Sequence, residues 1–148
     1  MKIEYRIANL KDLDITTEMA FELFTDSNKE ELRQEFIDLL QDNEAIIFLA
    51  YTDGECAGFA QCQLRHDYVE GCSTSPVGYL EGIYVREKFR RNGIAKDLLK
   101  NCENWAKASG CTEFASDCEF GNTVSQIFHK KVGFEEANRI ICFKKPLD

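Results

Sequence analysis

The stretch Val85-Arg-Glu-Lys-Phe-Arg-Arg-Asn-Gly-Ile-Ala95, running on into Lys96-Asp97-Leu98-Leu99, decides how this chain is read. An apolar run that ends at Val85 reads as a strand, a basic loop turns the chain, and a helical pattern starts at a glycine. The first N–H groups of a helix have no partner within it and point at whatever lies in front. They sit at the positive end of the helix dipole, so the place suits a phosphate group. Gly93 lets the backbone come close to such a group with no Cβ between, and Ala95 keeps the next approach open. Arg90, Arg91 and Lys96 add positive charge around it. Taken alone, the loop reads equally as an ordinary strand-to-helix turn with a solvated basic rim.

Outward from this stretch the periodicities alternate between strand and helix. Lys2 to Ile7 alternates polar and apolar, as a first strand would. Asn9 opens a helical pattern through Leu13, Ile15, Met19, Phe21 and Phe24. Ser27 and Glu30 form the S-x-x-E pattern of a capping box before a second helix bearing Leu32, Phe36, Leu39 and Leu40. Ala45 to Tyr51 is expected as a buried strand, Asp53-Gly54 as a hairpin turn and Gly58 to Leu64 as the return strand. Asp67 to Pro76 reads as a loop and Val77 to Val85 as a long strand. Ile94, Leu98, Leu99, Cys102 and Trp105 then recur at helical spacing, with Gly110 as the C-terminal cap. Thr112 to Ser116 predicts a short strand, and Val124, Ile127, Phe128 and Val132 a last helix ended by Gly133. Arg139 to Lys144 predicts a closing strand. A hairpin feeding β-α-β-α-β implies an α/β fold, a mixed sheet with helices on both faces. No linker or repeat interrupts the chain, so residues 1–148 read as one domain.

Composition narrows the partners. Hydrophobic residues make up 44% of the 148 and charged residues 30%, which fits a packed core rather than a disordered chain. No apolar run approaches the roughly 20 residues of a bilayer-spanning helix, and the N-terminus lacks a secretory signal pattern. A cytoplasmic domain without membrane attachment is expected. The formal net charge of -8 disfavours nucleic acid, which is held by Lys and Arg displacing counterions, and favours a small cation. Seven cysteines, Cys56, Cys62, Cys72, Cys102, Cys111, Cys118 and Cys142, form no C-x-x-C pair, and His66 and His129 lie far apart. No metal site is expected, and the thiols read as small apolar groups kept reduced.

Three blocks then carry a resemblance. Arg90-x-x-Gly93-x-Ala95 matches an R/Q-x-x-G-x-G/A pyrophosphate motif. Leu80-Glu81-Gly82-Ile83-Tyr84-Val85 is similar to a fourth strand with a β-bulge, and Asn122 to Phe134 to a closing segment with a recurring Asn and a Gly-Phe ending. In this order and spacing they resemble the GCN5-related N-acetyltransferases, the GNAT superfamily. The resemblance implies a central mixed sheet of six to seven strands with about four helices on both faces and splayed fourth and fifth strands. It implies acetyl-CoA as co-substrate, with the pantetheine arm in the splay like an added strand. The backbone of Ile83, Tyr84 and Val85 would line that arm. Arg90, Arg91, Asn92, Gly93, Ile94, Ala95 and Lys96 would hold the diphosphate, with Asn122 and Ser125 on the far side. Asn122 also reads as the cap of the last helix.

An amine must lose a proton before it attacks a thioester. Glu81, near the bulge, and Asp117, just past the fifth strand, are the candidate acceptors, or else exposed strand-edge carboxylates. A Tyr is usual in the family four residues before the Gly-Phe ending, where it serves as acid toward the CoA thiolate. Here His129 stands in that place, either as that acid or as a group packed on the donor.

Longer stretches narrow the acceptor. Arg65 to Val77 running into Tyr79 to Val85, Cys111 to Asp117, and Gly133-Phe-Glu-Glu136 with Phe143-Lys-Lys145 look like the aminoglycoside 6'-N-acetyltransferases. That branch acetylates the 6'-amine of an aminoglycoside, a polycation with little apolar surface, which calls for carboxylates and an aromatic face. Phe24, Tyr68, Glu81, Asp117 and Glu136 are the candidate substrate contacts, with Glu70 and Glu119 adding negative potential at longer range. Tyr68 reads also as a loop anchor and Glu136 as a solvated charge. Phe24 takes a place where the branch commonly has Trp, keeping the aromatic face without the indole N–H. Two rival readings stay open: acetylation of another polyamine or a protein lysine, and a non-catalytic acyl-CoA sensor. The family often dimerises through C-terminal elements, so a homodimer is expected, and Ile140 to Phe143 suits either an interface or a central strand.

Overall fold

Side chains that alternate across the sheet sort the core into two layers. The structure, a computed structural model, describes residues 1–148. Its sheet has the order β1-β2-β3-β4-β5, with β1 Ile3–Ile7, β2 Ala45–Thr52, β3 Glu55–Arg65, β4 Val77–Val85 and β5 Phe114–Ser116. Neighbours are antiparallel except β4 and β5, which run parallel and so need a crossover. The helices are α1 Leu13–Leu23, α2 Lys29–Leu40, α3 Ile94–Ala108 and α4 Thr123–Lys131, and α3 is the crossover. Ile47, Leu49, Cys56 and Phe59 face α1 and α2 with Met19, Ala20 and Phe36. Phe48, Ala50, Ala57, Ala60, Cys62 and Leu80 face α3, where Ile94, Leu98, Leu99 and Cys102 form the expected stripe. The mixed sheet with helices on both faces is therefore as the sequence implied.

Local chemistry sets the element ends. Asp53 and Gly54 have φ of 51° and 78°, both left-handed, as a two-residue hairpin with right-handed strand twist requires. Helix α2 is capped one residue later than its S-x-x-E pattern suggests. Asn28, rather than Ser27, accepts from the Glu31 N–H at 3.1 Å. Asn outranks most residues at this position, and the shift places Glu30 and Glu31 in the first turn, at the positive end of the dipole.

Two departures from regular pairing matter for function. Gly82 pairs with Gln61 and Leu80 with Cys62, leaving Glu81 as the extra residue of a β-bulge. Beyond Leu80–Ser116, β4 and β5 no longer pair. The expected closing strand at Arg139–Lys144 is a correction: residues 134–148 hold no regular element, so the chain supplies five strands and not six or seven. A strand needs a partner for its N–H and C=O groups, and no strand of the same chain pairs with this segment. Ile141 and Phe143 stand 80% and 90% exposed.

Gly58 marks where β3 and β4 come closest. A Cβ there would sit 2.5 Å from the Tyr84 carbonyl oxygen, a backbone atom that cannot swing aside. Gly58→Ala is therefore expected to destabilise the fold by about 1–3 kcal/mol, read as a lower urea midpoint with unchanged slope.

Candidate active site

Strand β4 leads from the carboxylates toward the candidate phosphate cradle. Past its end at Val85, Gly93 adopts φ 77° and serves as N-cap of α3 without any side-chain cap. The first helical bond runs from the Asp97 N–H to the Gly93 carbonyl at 3.0 Å, so the N–H groups of Ile94, Ala95 and Lys96 have no partner within the helix. Nothing lies within 4 Å of the point a Gly93 Cβ would occupy. Ile94 is 2% exposed, so its side chain roots the helix in the core and only its N–H faces forward. Arg90 and Asn92 brace the turn itself: Arg90 Nε donates to the Val85 carbonyl at 2.8 Å, and Asn92 Nδ2 to the Phe89 carbonyl at 2.9 Å. Arg91 and Lys96 remain exposed at the rim. Tyr84 turns its hydroxyl to Glu22 on α1, leaving its backbone for the splay.

The two candidate carboxylates are joined by residues the sequence reading did not select. Arg65 grips Glu81 with both ends of its guanidinium, Nε to Oε2 at 2.9 Å and Nη2 to Oε1 at 2.7 Å. Its Cζ lies 3.4 Å from the centroid of the Tyr79 ring, and the buried Tyr79 hydroxyl donates to Asp117 Oδ2. Burial and the neighbouring Asp117 push the Tyr79 phenol well up from its ordinary value, so it stays a donor. Glu81 thus has a cation of its own, whereas Asp117 is exposed and has only a neutral partner. Period-2 alternation puts Tyr79 and Glu81 on one face of β4, which is the sequence signal for this cluster. The reach of Arg65 from the end of β3 depends on strand register and has no local signal.

Across the splay, His129 on α4 presents Nδ1 to the Ser125 carbonyl at 2.7 Å and Nε2 to Ser116 Oγ at 2.8 Å. Asn122 caps α4 by accepting from the Ser125 N–H at 3.1 Å, so the capping reading holds.

Beside Glu81 a cavity of about 490 Å³ opens, lined by Phe24, Asp26, Glu31, Glu35 and Gln61 among others. Phe24 rests on Gly82, where a Cβ would be 3.4 Å from its Cζ. Asp26, Glu31 and Glu35 were missed in the sequence, although the four-residue spacing of the two glutamates places them on one side of α2. Tyr68 is 80% exposed with its hydroxyl on Glu70, and Glu136 is exposed and paired with Arg139. Neither touches Glu81 or Asp117. Glu119 is exposed as well.

Comparison with known proteins gives this geometry a family. The acetyltransferase (GNAT) family model matches residues 13–134. The aminoglycoside N(6')-acetyltransferase type 1 of Acinetobacter haemolyticus is 41% identical over 141 residues, covering 95% of this chain and 94% of that protein. The protein of the same name from Salmonella typhimurium is 45% identical over 108 residues, covering 73% of this chain and 74% of its own. Among solved structures, AAC(6')-Iy in complex with a bisubstrate analogue, CoA-S-monomethyl-acetylneamine, matches with TM-score 0.95 and 36% identity over 99% of this chain and 100% of that one. The chain belongs to the GNAT acetyltransferase family.

The loop that carries Tyr68 and Glu70 is tethered by Glu113, which accepts from the Ser73 and Thr74 N–H groups at 2.9 and 2.8 Å and from the Thr74 hydroxyl. These donors, the Thr74 hydroxyl foremost, hold the Glu113 carboxyl below its usual value. A carboxylate lowered in the folded state stabilises the tether above its ordinary titration range, and the tether is lost as pH falls through the lowered value. Hydrogen exchange should therefore show the Ser73 and Thr74 amides protected at about pH 5, above the ordinary Glu range, and released on further acidification. Glu113→Ala, which removes the accepting oxygen, should release them at every pH.

Proposed function

We propose that this protein transfers acetyl from acetyl-CoA to the 6'-amine of an aminoglycoside, by direct attack of the amine on the thioester. The observation that carries the reading is that one strand, β4, bears Glu81 beside an acidic, aromatic-edged cavity and leads into the uncapped N–H cradle at Gly93. Relatives of that name along nearly the whole chain support it. The seven thiols are all free, which fits the cytoplasm, where acetyl-CoA is available. No helix is long and apolar enough to cross a membrane. Residues 1–148 are read as one catalytic domain.

Each residue has a role in this mechanism. The N–H groups of Ile94, Ala95 and Lys96 hold the diphosphate, with Arg91 and Lys96 supplying charge and Arg90, Asn92 and Gly93 the shape of the turn. Past Leu80 the β5 side of β4 is free, so the backbone of Ile83, Tyr84 and Val85 pairs with the pantetheine arm. An N–H near the bulge stabilises the developing oxyanion. Asn122, whose side-chain oxygen caps α4, keeps its NH₂ group for the donor, with Ser125 beside it. Phe24, Asp26, Glu31, Glu35 and Glu81 receive the rings and ammonium groups of the substrate, with Tyr68 and Glu136 at the outer rim. Glu81 binds rather than deprotonates, because Arg65 already offsets its charge. Asp117, held by Tyr79 and in no ion pair of its own, takes the proton of the attacking amine, and His129 is the acid for the departing thiolate.

Mass spectrometry of kanamycin incubated with the protein and acetyl-CoA should place one acetyl group on the 6'-amine. Acetylation of spermidine or a protein lysine instead would favour a broader amine acetyltransferase, and donor binding without turnover would favour a sensor. Asp117→Asn should lower kcat by about 10²-fold or more while leaving acetyl-CoA binding unchanged, the scale of a lost general base.

We also infer a homodimer. Ile140, Ile141, Phe143 and Leu147 of the C-terminal arm are exposed, as are Phe120, Val124 and Ile127 at α4, and β5 pairs only with β4. An open sheet edge and an apolar arm without a partner satisfy each other when the arm of one copy adds to the other. Removing residues 138–148 should convert a dimer to a monomer by light scattering, and a full-length monomer would overturn this.

A further inference from the structure

We infer that Ser116 is a further catalytic residue, the hydroxyl that hands a proton from His129 to the CoA sulfur; this rests on the acetyl-transfer reading above. Ser116 is the last residue of β5 to pair with β4, opposite Leu80, so its side chain stands where the two strands begin to part. Its Oγ lies 3.3 Å from the Leu80 carbonyl and 2.8 Å from His129 Nε2, while His129 Nδ1 lies 2.7 Å from the Ser125 carbonyl.

Counting hydrogens in this chain assigns its direction. A carbonyl only accepts, so Nδ1 carries N–H toward Ser125. A hydroxyl has one hydrogen, and with that hydrogen on the Leu80 carbonyl the contact to Nε2 is made by a ring N–H. With Nδ1–H on the Ser125 carbonyl, Nε2 is the ring atom left to exchange a proton with Ser116 Oγ. Phe128 meets the imidazole edge-on with ring centroids 5.7 Å apart, and the Phe134 ring lies 5.0 Å away, holding it in place. Imidazole is also shorter than the phenol usual in this part of the family's closing segment, and the Ser116 hydroxyl extends its reach toward the splay.

The step balances. The amine nitrogen bonds to the acetyl carbon, the C–S bond breaks and its electron pair goes to sulfur. The Ser116 hydroxyl turns from the Leu80 carbonyl, and sulfur takes its proton as Oγ takes the proton from His129 Nε2. The ring is left neutral with Nδ1–H still on the Ser125 carbonyl, and water restores its second proton. The surplus proton of the amine leaves through Asp117.

The alternative is that Ser116 only ties β5 to α4, and steady-state kinetics separate the two. Ser116→Ala should lower kcat by about tenfold to a hundredfold, toward the low end of general-acid effects, with KM for acetyl-CoA and aminoglycoside within about twofold. Ser116→Thr, which restores a hydroxyl, should recover kcat to within about threefold. His129→Gln should lose as much as Ser116→Ala, and the double variant no more than either, because the two act as a unit. Wild-type kcat in Ser116→Ala, failure of the Thr variant to recover, or losses that multiply in the double variant would each overturn the inference while leaving the acetyl-transfer reading intact. A wild-type protein inert toward every aminoglycoside would overturn that reading and this inference with it.

Discussion

Strands β4 and β5 stay hydrogen-bonded for only three residue pairs, Gly78 to Leu80 against Phe114 to Ser116, and then part. Everything distinctive about the molecule follows from that early parting. Backbone groups of β4 beyond Leu80 lose a strand partner on one side, and unpaired backbone must be satisfied by water or by something that imitates a strand. The bulge at Glu81 falls just where the pairing stops and carries the carboxylate off the ladder. The crossover α3 must then start close to the end of β4, which brings uncapped N–H groups into line with the same gap. In the proposed reading, a slot for a long donor, a cradle for its diphosphate and a carboxylate at its reactive end are one structural consequence, not three separate inventions.

What holds the gap open is packing behind it. Ile94, Leu98, Leu99 and Cys102 anchor α3 to the small side chains Ala57, Ala60 and Cys62 of β3, so the helix sits close to the sheet. Gly78 shows how tight this is: a Cβ there would fall 2.6 Å from the Ala106 Cβ and 2.7 Å from Phe114 Cδ1. The helix cannot sink further to close the splay, and β5 cannot slide inward. The opening is therefore a property of the core rather than of the loops around it.

The parts of this design that were legible in the sequence are those governed by neighbours in the chain. The Asp53-Gly54 turn, the apolar stripe of α3 and the glycine before it are local requirements of backbone conformation and helical period, and they appear where expected. The grip of Arg65 on Glu81 and the bond from Tyr79 to Asp117 span 16 and 38 residues. They depend on register and on the short length of β5, for which the chain carries no nearby mark. Asp26, Glu31 and Glu35 were passed over for a related reason: on a solvated helix, carboxylates are ordinary until another element walls them into a cavity. Arg139 to Lys144 failed in the opposite sense. Its strand composition is real, but strand formation is a property of a pair, and its own chain supplies no second member.

The two carboxylates at the mouth also differ in what they can do over a full turnover. Glu81 has both oxygens fixed by Arg65, so in the proposed reaction it would serve binding at little reorganisation. Asp117 is exposed and bonded to a neutral phenol, so accepting a proton there would break no ion pair. In the proposed reaction, the acetylated nitrogen no longer carries a positive charge beside these acids. The attraction that gathers a polycation weakens at the one nitrogen that has reacted, so the acidic walls hold the product less tightly than the substrate.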